Sequence, residues 1–401
     1  MKIDRDLFID QGYLVLRNVI PNGKLQSMRE SCDLILERQK VNWVLERKPD
    51  DPPGGMYETV RQPRVLMEKP GIIDGQTANV IEDFWVADET LDTASSLLCN
   101  PEPNITSMMM MCNPVRNHPG GTGWHRDVHP IDMAPMDALS ADLVENGPRY
   151  TQWNVPMYDD SVLWVVPGSH RRRNTQQENS EFMEDLKKPV TGGIPVELNA
   201  GDGVVYILPI LHWGSNYSTK LRRTIHISFD AFRSENILYG HNFYWEPRFA
   251  DTLPDKYRTA FERFIELHLE RADLIEATFR AILGTDEVAF LTGLAAVHPG
   301  EEGRMVCLIL LSKLANKVHD IKHGQPIGLD GLTPELHNKF ADRFDDAEAD
   351  LLRERFRLLT ELLHEDAKRT IPDMDSRTQR LLFTEMPAEF GLKEFIANWD
   401  A

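Results

Sequence analysis

The amino-acid sequence predicts a mainly β core with helices over residues 1–250, in the form of a sandwich or barrel, and an α-helical region over residues 251–401. Three observations lead there. Up to about residue 250, short β-rich runs alternate with Gly, Pro, Asn and Asp turns, as in sandwiches and barrels. Beyond it the chain turns long, charged and helical in period. At 401 residues it also exceeds what one core usually organises.

The elements follow in order. "YLVLRNVI" from Tyr13 alternates as a strand does, and Pro21 ends it. A helix is expected from Gly23 to Gln39, with an apolar stripe of Leu25, Met28, Cys32, Leu34 and Ile35. Strands are expected in "ITSMMMMCNPV" from Ile105, "YTQWNVPMYD" from Tyr150, "VLWVVP" from Val162, "IPVEL" from Ile194, "GVVYILP" from Gly203 and "RRTIHISFDAF" from Arg222, with no helices between them. "NAGDG" from Asn199 is a tight turn. Pro254 and Asp255 start a helix whose spacing runs through Tyr257, Phe261, Phe264, Ile265, Ala272, Ile275, Phe279 and Ile282 to Gly284. Another spans Gly303 to His319, and a last one starts after Thr333-Pro334 with a break before Leu351. Their apolar stripes need a partner: the β core, each other, or a second copy in a homodimer. No internal repeat is visible.

Composition narrows the function. A net charge of -19 argues against nucleic acid and against anionic membrane surfaces as partners. The basic spot Arg171 to Arg173 reads as a solvated loop rather than a substrate grip. The four cysteines, Cys32, Cys99, Cys112 and Cys307, are scattered, so neither a disulfide framework nor a zinc ribbon is indicated. "MKIDRDLFIDQGY" carries charges where a signal peptide has an apolar run, and "MVCLILLSKLA" from Met305 is too short to span a bilayer. The expectation is a cytoplasmic protein.

"WHRDVHP" from Trp124 raises the chemical question. On a strand, His125 and Asp127 share a face and can bind one cation as imidazole and carboxylate. Two histidines and one carboxylate hold non-haem Fe(II) on one face and leave positions open opposite. The third ligand must come from a distant strand; His170, His212, His226 and His241 lie downstream. Ten residues after His212 come Arg222 and Arg223, at the mouth of a strand. An arginine buried there needs an anion partner, and a carboxylate co-substrate supplies one.

With these segments together the sequence resembles the phytanoyl-CoA dioxygenase family of Fe(II)/2-oxoglutarate oxygenases. The resemblance lies in "FIDQGYLVLRNVI", "GWHRDVHP", "QWNVPMYDDSVLWVVPGSHR", "AGDGVVYILPILHWGSNYS" and "LRRTIHISF", in the family's order from Phe8 to Phe232. The helical last third does not share in it. The resemblance implies a double-stranded β-helix (jelly-roll, cupin-like), His125, Asp127 and His212 as iron ligands, and 2-oxoglutarate and O2 as co-substrates. It implies Arg222 as the co-substrate's carboxylate anchor when the family pattern is counted from Asn216 and Ser218; counted from His212 it selects Arg223. Strand alternation lets only one of the two face the pocket. Trp153 matches a family tryptophan packed beside 2-oxoglutarate, or is a plain core residue.

Three ligands on one short strand would crowd one face, so His129 is read as a pocket-wall neighbour. His170 in "PGSH" reads as tying down a turn. His226 faces the pocket or sits hydrogen-bonded in the core, and Met108 to Met111 are pocket lining or core filler. The segments between His125 and Tyr150, and from Asn42 to Met67, are expected to wall the site. Related halogenases lack the carboxylate, so Asp127 implies hydroxylation of a C–H bond in a small organic molecule, with release of succinate and CO2. Two other readings stand beside it: a non-catalytic jelly-roll assembly module, and a cupin-like metalloenzyme that uses no 2-oxoglutarate.

Overall fold

The computed structural model describes residues 3–60, 62–67, 69, 71–114, 122–127, 136–215, 220–231, 255–297, 300, 303–325, 339–368 and 391–399. Among these residues nine strands form two antiparallel sheets: β1 (Tyr13–Leu16), β2 (Arg64–Leu66), β3 (Asn104–Met111), β4 (Tyr150–Pro156), β5 (Leu163–Val165), β6 (Ile194–Pro195), β7 (Gly203–Tyr206), β8 (His212–Gly214) and β9 (Thr224–Asp230). The larger sheet runs β1-β7-β4-β9-β3-β2 and the smaller β6-β5-β8.

The period of two decides what each strand does. In the large sheet Trp153 lies opposite Val205 and Ile227, and these residues, with Val155, Ile225 and Phe229, turn to one side. There they pack on Cys32, Ile35, Leu36, Phe84 and Trp85 of the N-terminal helical layer. Asn154 lies opposite His226, and His226 opposite Met109, on the other side. That polar side faces the small sheet.

The expected strands are present, several of them shorter. The helix expected from Gly23 to Gln39 runs Leu25–Leu45. The expectation that no helices interrupt the β region is corrected by Asp88–Leu98, Met136–Asn146 and Gln176–Glu184. Two of them have a local cause in the sequence. Asp88 and Glu89 complement the dipole of the first. Thr175 and Glu178 form a capping box for the third. The segment after His125 was read as a wall of the site, yet its helix Met136–Asn146 packs on the C-terminal helices through Leu139.

Helices Asp255–Leu283, Glu287–Val297, Gly303–Lys322, Asp346–Lys368 and Leu392–Ala397 follow. The last long helix begins anew at Asp346 because the Asp345 and Glu348 side chains cap each other's amides. The expected start at Thr333-Pro334 lies outside the described residues, as do the side chains of Phe264 and Ile265. Phe279 packs edge-on against Phe344 and Phe356 and tilted against Phe340 in the apolar core of this region. Tyr150 and Leu208 of the β region belong to the same apolar cluster. A buried ion pair joins the two parts: Arg271 Nη1 lies 3.2 Å from Asp230 Oδ2, with both side chains nearly inaccessible.

Breaking a buried pair from one side leaves a charge without compensation. Arg271→Leu is expected to cost about 3–5 kcal/mol in denaturant unfolding. Burial already holds the Asp230 carboxyl above its usual range. The loss should therefore shrink as pH falls and Asp230 takes up a proton.

Candidate active site

His125 and His212 meet through their backbones. Each donates its amide to the other's carbonyl at 3.0 Å, an isolated antiparallel bridge between "WHRDVHP" and the start of β8. The bridge sets the two imidazoles side by side, centroids 4.2 Å apart. Asp127, two residues on, reaches both: its Oδ1 is 3.5 Å from His125 Nε2 and its Oδ2 is 3.4 Å from His212 Nε2. The potential ligand atoms of the three residues lie within 4.8 Å of one another.

The other ring nitrogens are taken. His125 Nδ1 donates to Gly123 O at 2.8 Å and His212 Nδ1 to Ile210 O at 3.0 Å. These bonds leave each Nε2 lone pair aimed at the Asp127 carboxylate, so three acceptors converge on one point. Only a cation or extra protons make that arrangement favourable, and the donor set suits a divalent metal with open positions. Burial opposes ionisation of Asp127, but the two imidazoles outweigh it and hold the carboxyl well below its usual range. His212 feels burial too, and the carboxylate outweighs that, so its pKa is raised. His125 is lowered by burial and by His212.

Around the three residues the polar side of the large sheet lines a cleft. Gln152 Nε2 donates to Asp127 Oδ2 at 2.9 Å and to the Tyr206 hydroxyl at 2.8 Å. His226 lines the cleft with its Nδ1 donating to Asn154 Oδ1 at 2.7 Å; burial pushes its pKa down to about 3, so it stays neutral. Gln62, Arg64 and Met111 form part of the wall, the first two from the expected segment Asn42 to Met67.

Arg222 lines this cleft and Arg223 does not. Arg222 Nε donates to the buried Asp160 Oδ2 at 2.6 Å, an oxygen that also accepts from Thr224 Oγ1 at 3.1 Å. Arg223 reaches the opposite side of the sheet, where its Nε donates to Asp33 at 2.8 Å. Trp153 is corrected. It is buried in the core beneath the sheet, edge-on to Phe229, and the cleft is lined instead by its neighbours Gln152 and Asn154. Strand parity forces this, because two polar residues flank the tryptophan on the cleft side.

Sequence reasoning passed over Arg126. It lies between two cleft residues, so alternation sends its side chain the other way, into a buried nest of carbonyls. Its guanidinium donates to Ser169 O at 2.7 Å, to Pro209 O and to Asn174 Oδ1 at 2.8 Å. Ser169 Oγ in turn accepts from the Leu211 amide at 2.8 Å, next to His212. His170 Nε2 donates to Ile9 O at 2.8 Å, away from the cleft. Gly12 at φ 80° makes room for that ring, which a Cβ would meet at 2.3 Å. His129, His241, Asn216, Ser218 and Phe232 lie outside the described residues.

Comparison with known proteins comes on top of this geometry. The profile of the phytanoyl-CoA dioxygenase family matches residues 8–224, more than half of the chain. The chain belongs to this family. It is an Fe(II)/2-oxoglutarate-dependent oxygenase, with O2 as the second co-substrate. Among solved structures, EctD from S. alaskensis with 2-oxoglutarate and 5-hydroxyectoine is 15% identical, over 57% of this chain and 75% of that one, with a TM-score of 0.40. AviO1 from Streptomyces viridochromogenes Tue57 is 19% identical, over 57% and 96%, with a TM-score of 0.39. The non-heme alpha-ketoglutarate-dependent epimerase SnoN from nogalamycin biosynthesis is 14% identical, over 57% and 79%, with a TM-score of 0.39. No curated protein matches the chain in sequence. Among the described residues no helix is long and apolar enough to cross a membrane.

Two outcomes are expected. Gln152→Leu removes the amide that steadies Asp127 and should weaken Co2+ binding about 10- to 100-fold, read from the metal's visible absorption, with the far-ultraviolet dichroism unchanged. Protons compete with the metal for His212, whose pKa is raised. Co2+ affinity should therefore climb with pH and level off once His212 is neutral.

Proposed function

We propose that this oxygenase hydroxylates an aliphatic C–H bond of a small organic molecule, using His125, Asp127 and His212 as its iron ligands and Arg222 as the anchor for 2-oxoglutarate. One observation carries the reading: the three ligand side chains and Arg222 open into the same cleft, although they come from separate segments of the sequence. The two sheets are taken as the two halves of a jelly-roll in residues 1–250, with residues 251–401 as a helical addition.

When bound, Fe(II) with 2-oxoglutarate and O2 supplies an oxidant able to remove hydrogen from a substrate carbon and return hydroxyl, with succinate and CO2 released. The chain's own residues do the positioning. Asp127 offers a charge that the two neutral imidazoles lack, and Gln152 fixes its orientation. Asp160 and Thr224 hold Arg222 so that its guanidinium lies along the cleft wall, where a carboxylate can pair with it. His226, neutral and tied to Asn154, adds a polar but uncharged wall beside it. The carboxylate ligand supports hydroxylation over halogenation, since Asp127 takes the position a halide would need.

Anaerobic addition of Fe(II) and 2-oxoglutarate should produce a weak visible charge-transfer band; folded protein that gives no band would sink the reading. Asp127→Ala should abolish succinate release. Arg222→Ala should raise the KM for 2-oxoglutarate by an order of magnitude or more, from the loss of a charge-assisted pair of roughly 1.5–3 kcal/mol. Arg223→Ala should leave that KM nearly unchanged. The opposite pattern for the two arginines would move the anchor to Arg223.

A further inference from the structure

A second convergence of imidazoles and a carboxylate lies in the helical region. His319 and His323 stand four residues apart on and just past the helix Gly303–Lys322, and so share one side of it. Asp350 comes from the helix Asp346–Lys368. Ala315, Val318, Leu352 and Phe356 pack in one core between these helices and hold the backbones in register.

Asp350 Oδ1 lies 2.7 Å from His323 Nε2 and 3.3 Å from His319 Nε2. The potential ligand atoms of all three fall within 4.8 Å. Zinc bonds of about 2.0–2.1 Å in tetrahedral geometry set neighbouring ligand atoms roughly 3.3 Å apart. The His319–Asp350 distance matches that edge and is close to the 3.4 and 3.5 Å of the active-site cluster, while the shorter His323–Asp350 distance is that of a hydrogen bond, which a bound ion would open. A further observation points the same way. Asp320 Oδ1 lies 3.3 Å from His319 Nδ1, a carboxylate on the far ring nitrogen, as is usual behind metal-bound histidines. One group opposes: Arg353 Nη1 is 2.8 Å from His319 Nδ1 and 3.1 Å from its Nε2. Its guanidinium rests where a cation would approach His319.

We propose that His319, His323 and Asp350 form a second, non-catalytic site for a divalent transition metal of the zinc class, with water completing the coordination and Arg353 displaced on binding. The ion clasps the two helices at their solvent-facing edge. Two neutral imidazoles and one carboxylate suit zinc better than magnesium or calcium, which favour all-oxygen sites.

The test uses the full chain, stripped with chelator and dialysed against Zn2+. The variant H319A/H323A should retain one ion per chain fewer than the wild type; equal zinc content would overturn the proposal. In a His125→Ala/Asp127→Ala background, which leaves a single imidazole of the active-site cluster, Zn2+ should raise the melting temperature, and adding His323→Ala should remove that rise. A rise that survives His323→Ala counts against the site. Arg353→Ala should tighten zinc binding at least threefold, whereas an ordinary ion-pair cluster predicts no gain. His323 and Asp350 are exposed and His319 is partly so, so these substitutions should leave the fold intact, as dichroism can verify. Because the His125→Ala/Asp127→Ala background dismantles the active-site cluster, failure here is separate from failure of the oxygenase reading.

Discussion

The pairing of residues 125 and 212 is the constraint on which the site depends. Two amide–carbonyl bonds bring together segments far apart in sequence. Each imidazole then gives its Nδ1 proton to the carbonyl two residues before it, Gly123 in one case and Ile210 in the other. The same local geometry is thus used twice, and it points both Nε2 atoms at Asp127. Arg126 works from behind, gathering the carbonyls of Ser169 and Pro209, so the segment leading to His212 is held from both sides. A buried guanidinium among carbonyls is costly to place, and burial pushes its pKa down to about 9. That cost is offset by the order it imposes on the backbone beside His212.

Strand parity divides labour within the large sheet. In β4 and β9, alternate residues serve the core and the cleft: Trp153, Val155, Ile225 and Ile227 on one side, Gln152, Asn154, Thr224 and His226 on the other. Core and site therefore share a backbone without sharing side chains. A change on the apolar side acts through stability, and one on the polar side acts through chemistry. Arg222 and Arg223 show the same division at the entrance to β9, one toward the cleft and one toward Asp33.

Most strands were legible because turn residues bracket their β-rich runs, though the three-residue β2 was not, and the candidate ligand residues because His-x-Asp and a distant histidine stood in an ordered set of motifs. Other features were harder to read. The helix Asp88–Leu98 is short and buries Thr90 and Thr93 along with Ala94, Leu97 and Leu98, so counting apolar residues alone undercounts its buried face. Trp153 drew attention by its size, while the polar residues either side of it carried the information about which face met the cleft. Arg126 was hidden in a motif read for its histidines. Its role depends on carbonyls from two distant turns, and no local pattern announces such partners. Asp160 was equally quiet, since the arginine it holds lies 62 residues away.

The ion pair of Arg271 with Asp230 has a consequence for how separable the two parts of the chain are. Asp230 ends β9, the strand that carries His226 and follows Arg222, and Arg271 belongs to the first long helix beyond it. Without that helix the strand would end in a carboxylate stripped of this counter-charge, beside an uncovered Tyr150. A cut between the two parts would uncover apolar surface on both sides, and local melting of that helix would be felt at the strand that carries His226.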